Sequence, residues 1–109
     1  MTYEKFKNCI EACYRCATAC DHCAVSCLHE DDVKMMARCI ELDIHCAEVC
    51  RTAAHLMAKG ERYAKQIAIF CEQICRDCAE ECGKHQFEHC QRCAEACRSC
   101  AEECHKIAA

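Results

Sequence analysis

The sequence predicts an all-α protein, an antiparallel up-down-up-down four-helix bundle with a cysteine-lined core. Three observations carry this. Cys9, Cys13, Cys16, Cys20, Cys23 and Cys27 step by 4, 3, 4, 3 and 4 residues, the a/d spacing of a helix that buries one seam against its neighbours. The same stepping returns at Cys71, Cys75, Cys78, Cys82 and at Cys90, Cys93, Cys97, Cys100, Cys104, with a thinner version at Cys39, Cys46 and Cys50. There is no proline, and the two glycines are Gly60 and Gly83, so long helices run without internal breakers.

The first helix is expected from Thr2 to Leu28, with His29-Glu30-Asp31-Asp32 as the break. Asp31 or Asp32 can cap a second helix that runs to about Ala58 and stops at Lys59-Gly60. A third covers about Glu61 to Cys82, with Gly83 as a left-handed C-terminal cap. The fourth starts near His85 or Gln86 and ends about Ile107. Connections this short between long helices enforce antiparallel neighbours. At 109 residues the chain reads as one domain, residues 1–109.

An internal repeat supports the reading. Cys-Ala-x-x-Cys occurs six times, starting at Cys16, Cys23, Cys46, Cys78, Cys93 and Cys100. With Cys9–Cys13 and Cys71–Cys75 this makes eight Cys-x-x-x-Cys pairs, using 16 of the 18 cysteines. Cys39 and Cys90 are left over, and antiparallel packing places both at one end of the bundle with Cys27 and Cys82. Leu42, Val49 and Ala53 are expected to interrupt the second helix's stripe, so that stretch should hold fewer ions or serve partly as packing.

Composition sets the function class. With three Phe, three Tyr and no Trp, large apolar side chains are too few for an ordinary oily core. The start Met-Thr-Tyr-Glu-Lys-Phe-Lys has no apolar run and no segment reaches membrane-spanning length, which points to a cytosolic protein. Cysteine arrays in that compartment bind metal or do redox chemistry more often than they form structural disulfides. A net charge of -4 with basic residues dispersed among acidic ones gives no footprint for nucleic acid or an anionic membrane. No nucleophile–base arrangement or nucleotide loop is present, so the chain reads as a binding protein rather than an enzyme.

Thiolates are soft ligands that select Cu(I), zinc or iron–sulfur clusters. Charge decides among these, because buried negative charge is costly unless neutralised. One monovalent ion per thiolate leaves eighteen sites neutral, whereas zinc at one ion per four thiolates leaves a surplus of about -2 at each site. Helical pairs also suit ions of low coordination number, and a continuous rod of cysteines has no bounded set of four for a cluster. The cargo expected is therefore many Cu(I) ions, with Ag(I) as a mimic, held by all eighteen cysteines. Zinc or general soft-metal sequestration is one alternative. A thiol-redox protein is another, suggested by five Cys-x-x-Cys spacings, although these sit on long helices without a βαβ pattern.

Polar residues at one mouth join the candidate ligands. His85 and His89 stand four apart beside Cys90, and Asp43 stands four after Cys39, where a second cysteine would complete a pair. These three form a candidate mixed-ligand entrance. His22, His29, His45, His55 and His105 read as surface residues, and Met35, Met36 and Met57 as packing. Tyr3, Phe6, Ile10, Tyr14 and Phe87 read as cap or interface residues, and Ile10, Ala17 and Ala24 as a secondary contact stripe.

The four cysteine stripes, the Cys-Ala-x-x-Cys repeats and the Cys-Gly-Lys-His-x-x-x-His-Cys segment at Cys82–Cys90 together resemble the bacterial copper storage proteins, and the start resembles their cytosolic branch. The likeness runs nearly end to end. It implies a four-helix bundle that fills with Cu(I) and assembly into a homotetramer. A copper chaperone or client cuproenzyme is the further partner expected of a copper store.

Overall fold

The computed structural model describes residues 2–109, with the side chain of Thr2 outside the description. Four helices make up the fold: α1 (Thr2–Leu28), α2 (Ala37–Lys59), α3 (Ala64–Gly83) and α4 (Glu88–Ala108), with a 3-10 turn at Val33–Met36 leading into α2. Each helix packs on two neighbours, in the order α1–α2–α3–α4 and back to α1. The two diagonals therefore face each other across the core. Cross-core thiol pairs fix the directions. Cys9, early in α1, meets Cys104, late in α4, while Cys27 meets Cys90 at the opposite end. Cys39 meets Cys82 and Cys50 meets Cys71, so α2 and α3 are antiparallel too. The result is a rod of 48 × 19 × 18 Å, up-down-up-down as its short connections require.

The helix ends depart from sequence expectation in physically legible ways. Asp32 does cap, but its carboxylate accepts from the Met35 backbone N–H at 3.4 Å and so starts the 3-10 turn, not α2 itself. Gly60 ends α2 at φ 140°, the one positive φ among the described residues. Residues 61–63 form a turn closed by the Ala64 N–H on the Glu61 carbonyl at 3.2 Å, which delays α3 by three residues. Gly83 is not a left-handed cap. It lies within α3, and the last carbonyls are satisfied by tightened bonds from Lys84 N–H to Glu81 O and from His85 N–H to Cys82 O, both 3.1 Å. The Gln91 side-chain amide then donates to the Gly83 and His85 carbonyls. That clamp holds residues 85–87 out of helical conformation, and α4 begins at Glu88.

All eighteen cysteines are buried with free thiols. The alanines of the Cys-Ala repeats lie beside the seam; Ala17, Ala47, Ala79, Ala94 and Ala101 are all buried, and their small size lets the helices approach closely enough for thiols to meet. The secondary stripe Ile10, Ala17 and Ala24 is buried as well. On α2, Ala53 does end the cysteine stripe as expected, but Leu42 and Val49 do not interrupt it. Leu42 and Val49 sit half-buried to one side, while Asp43 fills the heptad position after Cys39. Ala53, Ala54 and Met57 then carry the buried row to the helix end. Free cysteine packs as a small hydrophobe, so this core offers modest apolar burial and a dense array of sulfur.

Candidate metal centre

The sulfur atoms form a ladder, not a set of separate sites. Within one helix the i,i+4 pairs Cys23–Cys27, Cys46–Cys50, Cys71–Cys75 and Cys78–Cys82 lie 3.8–3.9 Å apart. Between helices Cys16–Cys97, Cys13–Cys100, Cys20–Cys93 and Cys50–Cys75 lie 3.5–3.6 Å apart. Groups of four thiols within mutual ligating reach include Cys13/Cys71/Cys100/Cys104, Cys16/Cys46/Cys50/Cys75, Cys16/Cys20/Cys46/Cys97, Cys20/Cys78/Cys93/Cys97 and Cys23/Cys27/Cys39/Cys90. Several share members: Cys16, Cys20, Cys46 and Cys97 each serve two of these groups. The three middle groups are thereby linked through common thiols, an arrangement in which one thiolate can bridge neighbouring ions.

Sulfur spacing refines the coordination number. Linear coordination with metal–sulfur bonds of roughly 2.2–2.3 Å needs sulfurs about 4.5 Å apart, whereas three sulfurs around one ion lie about 3.9 Å apart. The observed pairs match the three-coordinate spacing without rearrangement. A tetrahedral ion needs a similar separation, so distance does not separate zinc from copper. Charge does where thiols are not shared: four thiolates around one zinc leave a surplus of about -2 in a buried rod, whereas one Cu(I) per thiolate leaves none.

Asp43 belongs to this core. Its carboxyl is fully buried, and the Cys93, Cys78 and Cys82 thiols donate to Oδ1 at 3.2, 3.3 and 3.4 Å, with Cys39 on Oδ2 at 3.9 Å. Burial, then the neighbouring Cys93 and Cys39, pushes its pKa from 3.8 up to about 8. Cys27 is likewise pushed up by burial, to about 11, and Cys90 moves in the same direction for the same reason. These groups are held in their neutral, protonated form, and a monovalent ion that takes a proton's place leaves the core neutral.

The histidine mouth divides into two unlike pairs. His89 reaches the thiols: its Nδ1 lies 3.5 Å from Cys90, 3.6 Å from Cys23 and 3.8 Å from Cys27. Its Nε2 bonds to Glu30 at 2.8 Å. His85 instead bonds through Nε2 to Glu81 at 3.1 Å, and among the described residues no thiol lies within hydrogen-bonding reach of it. His22, His29, His45, His55 and His105 are exposed. The opposite end carries fully buried Met57 and Phe6, and half-buried Ile67 and Ile107 pack against the core. Met36 is buried and Met35 is exposed. Glu30 and Glu81, the carboxylates bonded to the two mouth histidines, were not picked out from the sequence. Glu81 carried a signal, standing four before His85, but Glu30 meets His89 across 59 residues and left none.

A preformed rod of thiols, apolar at one end and fitted with a histidine and a carboxylate at the other, defines a protein that binds many soft metal ions. The copper storage protein family matches residues 2–109, and the chain belongs to that family. The Cu(I)-bound copper storage protein BsCsp3 of Bacillus subtilis superposes with a TM-score of 0.92 at 44% identity, over 96% of this chain and 99% of that one. A cytosolic copper storage protein from Streptomyces lividans, described during copper loading with five coppers, gives a TM-score of 0.93 at 38% identity, over 98% and 94% of the two chains. An uncharacterized cysteine-rich protein of Bacillus subtilis strain 168 is 46% identical over 86 residues, 79% of this chain and 80% of its own.

Proposed function

We propose that this protein stores Cu(I), taking up ions in numbers that approach its 18 cysteines and holding them as bridged thiolate sites along the bundle axis. The observation that carries this reading is the sharing of thiols between successive four-sulfur groups, which suits a chain of monovalent ions. The Cu(I)-bound state of the Bacillus relative and the multiple coppers of the Streptomyces relative support the same cargo. All eighteen cysteines serve as ligands, with Asp43 and His89 joining them near one mouth. His85 acts at the rim, passing ions between solvent and the first thiols. Imidazole is a weaker Cu(I) ligand than thiolate and can release the ion inward.

The working protein is a cytosolic homotetramer that receives copper from a chaperone or yields it to a client cuproenzyme, and its role is binding with no reaction catalysed. In support, the Streptomyces relative is described as cytosolic, and no described helix is long and apolar enough to cross a membrane. The reading is tested by anaerobic titration of the reduced protein with Cu(I) against a chromophoric Cu(I) chelator, in the presence and absence of zinc. Saturation near one ion per cysteine, undiminished by zinc, is expected. Saturation at four or five ions, or displacement of Cu(I) by zinc, would overturn it.

A further inference from the structure

Three constraints converge on the His89 ring. Glu30 sits in the connection after α1, anchored by its backbone N–H on the Cys27 carbonyl at 3.2 Å, and its Oε2 lies 2.8 Å from His89 Nε2. Phe87 stacks on the ring, with centroids 5.6 Å apart and planes 3° apart. Nδ1 faces Cys90, Cys23 and Cys27 at 3.5–3.8 Å. A carboxylate only accepts hydrogen bonds, so Nε2 must carry the hydrogen, and a neutral imidazole then presents a bare lone pair at Nδ1.

We infer that Glu30 is a positioning residue for copper transfer. It locks His89 in the Nε2–H tautomer with Nδ1 aimed at the outermost thiols, so that an arriving Cu(I) meets a lone pair already turned toward Cys23, Cys27 and Cys90. A carboxylate behind a histidine ligand also raises the basicity of the metal-facing nitrogen. Cu(I) keeps its oxidation state throughout. For each ion passed inward, one Nδ1–Cu bond breaks once sulfur–Cu bonds to two or three of these cysteines have formed, and each thiol that binds releases its proton to solvent. The two histidines differ in this respect. Glu81 divides its charge among His85, Arg38 at 3.4 Å and Lys84 at 3.6 Å, while His89 is the partner resolved for the Glu30 carboxylate among the described residues. Glu30 therefore acts on one ligand, and its effect should vanish when that ligand is removed.

The inference rests on the histidine mouth being the route for copper, and the test separates the two ideas. Nitrogen-detected NMR of the reduced, metal-free full chain reads the His89 tautomer directly in wild type, Glu30→Gln and Glu30→Ala. Wild type is expected as Nε2–H. The Gln variant should keep that tautomer, since its side-chain oxygen still accepts, and the Ala variant should give a mixture. Stopped-flow Cu(I) loading should slow about tenfold in Glu30→Ala, recover largely in Glu30→Gln, and show no further Glu30→Ala effect in a His89→Ala background. An Nδ1–H tautomer in wild type, or an unchanged tautomer in Glu30→Ala, would overturn the inference. So would an equal rate loss with and without His89. If Glu30→Ala shifts the tautomer while His89→Ala loads at the wild-type rate, orientation by Glu30 is upheld and the histidine route fails.

Discussion

Replacing Asp43 by Asn should flatten the pH dependence of the metal-free protein's stability. In the folded chain the Asp43 pKa is about 8, against an ordinary 3.8, because burial opposes the charged form. Between those values the folded state holds a proton that the unfolded state has released, so stability is full below about pH 4 and is lost as pH rises toward 8. The slope is about 1.4 kcal/mol per pH unit, which gives about 4 kcal/mol between pH 5 and pH 8. That is a large share of the roughly 5–15 kcal/mol typical of a folded domain. Asn is a fair replacement. Its oxygen can accept from Cys78, Cys82 and Cys93, as Oδ1 does now, and its amide can face Cys39 where Oδ2 lies. Anaerobic urea unfolding at several pH values, wild type against Asp43→Asn, measures the difference. At pH 5 the variant should be no more stable than wild type, and by pH 8 it should lead by several kcal/mol. Parallel stability curves would refute the claim that a carboxyl is buried neutral among the thiols.

Other expectations follow from the same geometry. Circular dichroism of the reduced, metal-free chain should already be mostly helical, because the helices are joined by short clamped turns; a coil spectrum that turns helical only with Cu(I) would defeat the preformed bundle. Replacing His85 and His89 together by apolar residues should slow loading or chelator-driven removal, with final capacity nearly unchanged in an end-point titration. Substitutions at Phe6 or Met57 that alter those rates, with the double histidine variant at wild-type speed, would reverse the polarity. Ala94→Leu places a large side chain at a fully buried position beside the thiol seam. It should cost about 1–3 kcal/mol, read as a lowered midpoint in thermal unfolding of the metal-free protein.

The seam was legible because helical periodicity and burial are the same fact seen twice: residues stepping by three and four share a face, and a face repeated on four helices has somewhere to point. The length of α1 followed from the absence of breakers between Thr2 and Leu28. Asp43 was harder to place, since a carboxylate four residues after a cysteine can equally face solvent. What buries it is supplied by Cys78, Cys82 and Cys93 on α3 and α4. Gly83 misled because glycine permits a left-handed cap without requiring one, and the tightened bonds to Glu81 and Cys82 made it unnecessary. The late start of α4 depends on Gln91 reaching back to Gly83 and His85, a contact set by tertiary geometry. Glu30 was invisible for the same reason, its partner being on another helix.

Anomalous diffraction at the copper edge from anaerobically loaded crystals tests the storage claim most directly. The account predicts copper peaks strung along the rod from the layer of Cys23, Cys27 and Cys90 to that of Cys9, Cys13 and Cys104, each ion held by two or three sulfurs and neighbouring ions sharing thiolates. Copper confined to one four-sulfur group, or found only at surface histidines with the inner thiols metal-free, would contradict it.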